Sequence, residues 1–122
     1  MRAPLGTFVH ARSGDKGGDA NLGLWVGHEA PVAGRACQDH EYAARVDWLL
    51  GLVTPDFVHA LLPETAPLEV EVFALRNLGG VNVLIHGLLG RGVAASTRFD
   101  PQAKGLGEWA RSRYVEIPEA LL

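Results

Sequence analysis

The sequence predicts an α+β fold, a mostly antiparallel sheet with two helices on one face, and three observations carry this. Residues 68–75, LEVEVFAL, alternate strictly, with Leu68, Val70, Val72 and Ala74 on one side and Glu69, Glu71 and Phe73 on the other. Tyr42, Val46, Leu49, Leu50 and Val53 fall at helical spacing with charges between them. Strand-like segments come in groups with the helical ones between them, which is the order of an α+β protein rather than of an alternating α/β one.

The elements follow in order. Residues 5–10, LGTFVH, carry the β-branched and aromatic residues of a strand, and 22–27, LGLWVG, those of a second. The polar stretch between them reads as a loop, too long for a two-residue hairpin. Residues 28–37 hold Pro31, Gly34 and several alanines and read as a connection. A helix starts with Asp39 as its N-cap. Thr54, Pro55 and Asp56 restart it as N-cap, first position and first-turn acid, and Pro63 stops it after Phe57, Val58, Leu61 and Leu62. After the 68–75 strand come a turn at 76–82, a short apolar segment at 83–86, a glycine-rich loop at 87–92 and a strand at 93–99. Asp100 and Pro101 open a last helix that includes Leu106, Trp109 and Ala110, weakened by Gly105 and Gly107. Residues 114–117, YVEI, form the final strand, ended by Pro118. A ferredoxin-like sandwich with one extra strand accommodates this order.

The length, 122 residues, suits one domain spanning 1–122, with a core large enough to need no disulfide or structural metal. A net charge of −3 argues against a nucleic-acid partner, which would call for a basic face. Cys37 is the one cysteine, so a reducing compartment is the natural setting. No signal pattern opens the chain and no apolar run is long enough for a membrane span, so a cytoplasmic location and no membrane partner are expected.

The stretch 11–23, ARSGDKGGDANLG, concentrates Arg12, Asp15, Lys16 and Asp19 among glycines. It is not a Walker loop, because Lys16 precedes the glycine pair instead of following it. Gly87, Gly90 and Gly92 give the dinucleotide-binding glycine spacing in reverse. Asp15, Asp19 and Asn21 miss the EF-hand spacing, and Cys37 with His40 lacks a second zinc-ligating pair, so neither metal nor cofactor is expected. Ser13 stands outside a nucleophile elbow. What remains has anion-binding character: Arg12 and Lys16 offer charge, and the glycines allow backbone N–H groups to converge. The plainer reading is a turn, with Gly14, Gly17 and Gly18 at positive φ, Asx turns at Asp15 and Asp19, and a local Arg12–Asp15 ion pair. Asn77, Asn82, His86 and Arg91 pose the same choice in the second glycine-rich region, with Asn82 most simply a turn residue.

Taken together, HARSGDKGGDANLGL (10–24) and LRNLGGVNVLIHGLLGRGVAASTRFDPQAKGLGE (75–108) resemble the two signature blocks of the AtuA-like ferredoxin-fold domain. The likeness covers nearly the whole chain and is weakest over 28–67. It departs at Gly18, where the family often has Asp or Asn, at Arg91 in a Gly-Gly-Gly loop, at Leu75-Arg76 in place of Leu-Pro, and at Val83 in place of Phe. The resemblance implies a ferredoxin-like fold and a place in acyclic terpene utilisation, a pathway of acyl-CoA intermediates. It supplies no reaction and no catalytic residues. In the family this domain is often the C-terminal part of a larger AtuA protein. A chain running from Met1 to Leu122 is therefore expected to resemble a split version with a separately encoded AtuA-type core.

The expected function is that of a binding and assembly subunit, contributing an anion-binding wall to a site formed with such a core or with copies of itself. Arg12, Ser13, Gly14, Asp15, Lys16, Gly17, Asn21, Asn82, His86, Gly87 and Arg91 are its candidate ligand contacts. The alternative is a free-standing homo-oligomeric enzyme acting on an acyl-CoA or carboxylate, with Asp15 or His86 as acid/base and Lys16 as electrostatic stabiliser.

Overall fold

The computed structural model describes residues 1–88 and 105–122. The arrangement is α+β, with a four-stranded antiparallel sheet, a two-stranded one, and helices packed on one face of the larger sheet. In chain order the elements are β1 (Arg2–Pro4), β2 (Val9–Lys16), β3 (Asp19–Val26), α1 (Asp39–Leu52), α2 (Pro55–Leu61), β4 (Val70–Leu75), β5 (Gly80–Ile85), α3 (Leu106–Ser112) and β6 (Tyr114–Glu116). The large sheet has the order β2-β3-β5-β4, and β1 pairs with β6.

The main departure from the expected pattern is at the charged stretch. Leu5–Thr7 form a 3-10 turn, and the strand begins at Val9 and runs through the polar residues to Lys16. Lys16 pairs with Asp19, so Gly17 and Gly18 alone make the connection. Gly17 has φ +67°, the left-handed value that a type II′ hairpin needs at its first central position. The inward residues of this segment are small, so it carries no apolar alternation to mark a strand. Ala11 and Ser13 face the helices where α3 comes close: a Cβ on Gly107 would stand 3.3 Å from that of Ala11. Gly107 thus allows α3 to pack against β2, and its N–H donates to Ser13 Oγ at 2.8 Å.

A second departure concerns Asn82, which lies inside β5 and not in a turn. The turn is the 3-10 segment Arg76–Leu78 with Gly79 at φ +70°. β1 is additional, three residues ending in Pro4 and too short to show a period. The N-cap of α1 is Gln38 rather than Asp39, because Glu41 accepts the Gln38 backbone N–H while holding Arg35. Thr54 caps α2 as expected, its Oγ1 accepting from the Phe57 N–H at 3.1 Å. The strand expected at 93–99, the Asp100 cap with Pro101, and Arg91 lie outside the described residues.

The core lies between the large sheet and the helices. Leu22, Leu24, Val81, Val83 and Ile85 from β3 and β5 meet Val46 and Leu49 of α1, Val58 and Leu61 of α2, and Leu106 and Ala110 of α3. Phe8 packs edge-on against Trp48, with 5.4 Å between ring centroids. Among the described residues no helix is long and apolar enough to cross a membrane.

Candidate functional site

Strand alternation sorts the candidate residues onto two faces. The pairing rows His10–Trp25–Gly80–Leu75, Arg12–Gly23–Asn82–Phe73 and Gly14–Asn21–Leu84–Glu71 lie on the face opposite the helices. Lys16 and Asp19 extend that face at the hairpin end, and His86 continues it beyond β5. The other rows, including Ser13–Leu22 and Asp15–Ala20, look toward the helices. The sheet therefore separates Ser13 and Asp15 from Arg12 and Lys16, and an Arg12–Asp15 pair does not form.

The open face has an apolar end and a polar end. At the apolar end Trp25, Phe73, Leu75 and Leu78 are exposed, at 37%, 46%, 38% and 64%. Between Trp25, Leu75 and Leu78 lies a shallow depression of about 330 Å³, floored by Gly23 and Gly80. Exposed apolar side chains grouped in this way mark contact surfaces more often than singly scattered ones do. In the middle the Asn21 side-chain amide donates to the Asn82 side-chain carbonyl, joining β3 to β5. Arg12 and Lys16 are exposed, and neither forms an ion pair among the described residues. Four residues apart on one strand, they stand roughly 13 Å from each other.

At the polar end, Asp19 meets His86 and Gly87. His86 presents Nδ1 to Asp19 Oδ2 at 3.1 Å and Nε2 to Glu71 Oε1 at 2.6 Å. Asp19 is itself fixed, its Oδ1 accepting the Gly87 N–H at 2.8 Å. That backbone hydrogen bond is the main cause of a carboxyl pKa below the ordinary aspartate range, with His86 adding to it. The hydrogen bond to Glu71, followed by that to Asp19, raises the His86 pKa against an opposing effect of burial. Glu69 completes the group, its carbonyl accepting the His86 N–H at 2.9 Å. Asp19, Glu69 and Glu71 were not among the expected site residues. A signal for the last two was present in the outward positions of the 68–75 alternation, but nothing in the sequence placed them beside His86.

Of the expected contacts, Arg12, Gly14, Lys16, Asn21, Asn82 and His86 thus share the open face, with Gly17 in the hairpin turn and Gly87 beside Asp19. Fold and site define an α+β domain with one sheet face packed by helices and the other bearing polar and apolar groups together. The model of the AtuA ferredoxin-like domain matches residues 3–116, and the chain belongs to that family. No curated protein and no solved structure matches it.

Proposed function

We propose that this chain is a binding and assembly domain whose open sheet face forms one wall of a site, completed by an AtuA-type core or by a second copy of the chain. Arg12 and Lys16 receive an anionic group of the ligand there, a carboxylate or phosphate of an acyl-CoA, within acyl-CoA or terpenoid catabolism. One observation carries the reading. Two cations without ion-pair partners among the described residues share a face with an exposed Trp25–Phe73–Leu75 patch. Exposed cations suit phosphate or carboxylate recognition, Arg12 through its planar fork and Lys16 as a point charge. The adjacent apolar depression suits the non-polar part of the same ligand or the wall of a partner. The enzyme reading is less well supported, because Asp15 faces the helix side while His86 is held between Asp19 and Glu71.

The test uses an AtuA-type core protein and coenzyme A. The chain is expected to co-elute with the core, and coenzyme A to bind to the assembly with an affinity that falls at least tenfold in the Arg12→Ala/Lys16→Ala variant. Unchanged coenzyme A binding by that variant would remove the anion role. Failure to associate with the core, together with a monomeric state in light scattering, would remove the assembly role.

A further inference from the structure

The geometry points to a divalent transition-cation site at the polar end of the open face, with His86 Nε2 and the carboxylates of Glu69 and Glu71 as ligands and Asp19 as the residue that positions the imidazole. One ligand atom from each of these three residues lies within 4.8 Å of the other two. They come from neighbouring strands: Glu69 and Glu71 share a face of the β4 segment, and His86 hydrogen-bonds across to the Glu69 carbonyl. This is a mixed donor set of one imidazole and two carboxylates, which first-row divalent cations accept and zinc suits well.

The arrangement around the imidazole is the second support. Asp19 stands at Nδ1, on the side of the ring away from Glu71, and is locked there by the Gly87 N–H. A carboxylate at the remote nitrogen fixes the tautomer with hydrogen on Nδ1 and leaves the Nε2 lone pair outward, the usual outer support of a metal-bound histidine. That lone pair then faces Glu71 Oε1. Two lone pairs so placed repel unless a cation lies between them, either a proton or a metal ion. Metal–ligand distances of about 2.0–2.2 Å in a tetrahedral site put ligand atoms about 3.4 Å apart. The His86–Glu71 contact of 2.6 Å must open and the longer separations must close. Side-chain rotation can do this, since Glu71 is 44% exposed and His86 31%. Three protein ligands leave a coordination position facing outward, as in sites that hold water or a ligand group. The cysteine and histidine spacings excluded from zinc binding in the sequence, Cys37 and His40, take no part.

This inference is independent of the Arg12 and Lys16 reading and is tested separately. The full chain is stripped with a chelator and titrated calorimetrically with zinc chloride, and its cobalt complex is examined by visible absorption. One ion per chain is expected, with d–d bands of a nitrogen- and oxygen-ligated cobalt. His86→Ala is expected to weaken zinc binding about 100-fold, Glu71→Gln at least tenfold, and Asp19→Asn by roughly tenfold while the same bands persist. Circular dichroism verifies that each variant is folded. If His86→Ala does not fold, the half-exposed Glu71→Gln decides the matter. Absence of zinc binding by the wild type, or zinc binding undiminished in the folded variants, would overturn the site.

Discussion

Arg45 shows how much a single residue can decide. It is 1% exposed, although it is a charged residue lying between the apolar positions of α1. Its guanidinium donates to the carbonyls of Ala30 at 2.8 Å, Pro31 at 2.8 Å and Leu121 at 2.9 and 2.6 Å, and its Cζ lies 4.3 Å above the centre of the Phe8 ring. One side chain thereby ties the connection before α1 to the C-terminal segment. It also supplies donors to three partly buried carbonyl oxygens. Arg45→Met keeps much of the packing volume but orphans those acceptors, so a loss of about 3 kcal/mol is expected in a urea unfolding curve. A loss below about 1 kcal/mol would mean that water replaces the guanidinium.

At the scale of the element, the β2–β3 hairpin sets the site. The two-residue turn fixes the register, and the register places Arg12, Gly14 and Lys16 on the open face with Asn21 and Asp19. A slip of one residue would turn Arg12 and Lys16 toward the core and Ser13 away from its Gly107 donor. Gly17 pins that register through its φ of +67°, and a Cβ there would meet nothing within 4 Å. The cost of a side chain at Gly17 is therefore conformational: Gly17→Val is expected to lose about 1–2 kcal/mol. Gly14 is equally open but needs no positive φ, so Gly14→Ala is expected to change stability by less than about 1 kcal/mol. Thermal unfolding of the two variants beside wild type checks the contrast; equal losses would show that the turn does not hold the register.

Across the whole molecule, the two faces of the large sheet differ in how they are packed. The helix side holds the core, and the open side holds Trp25, Phe73 and Leu75 with little of it. The double variant Phe73→Ser/Leu75→Ser is accordingly expected to unfold within about 1 kcal/mol of wild type. On the proposed assembly role, it should lose association with a core or with a second copy, as read by light scattering. A large drop in stability would place that patch in the core instead. Much of this organisation is legible along the chain. The alternation of 68–75, the spacing of Tyr42, Val46 and Leu49, and the Thr54-Pro55 start are local patterns set by side-chain period and capping chemistry, and each has its counterpart in β4, α1 and α2. Local patterns failed where packing overrides them. Ala11 and Ser13 are too small to mark a buried strand face, yet α3 covers them because Gly107 lets it approach. The sequence by itself determined the fold class and the family, and it pointed to Arg12, Gly14, Lys16, Asn21, Asn82 and His86 of the open face. Tertiary structure alone decided that Ser13 and Asp15 turn away from that face and that Arg45 is buried. It alone brought Asp19, Glu69 and Glu71 around His86, because strand pairing joins residues far apart in the chain and no periodicity records which strands will be neighbours.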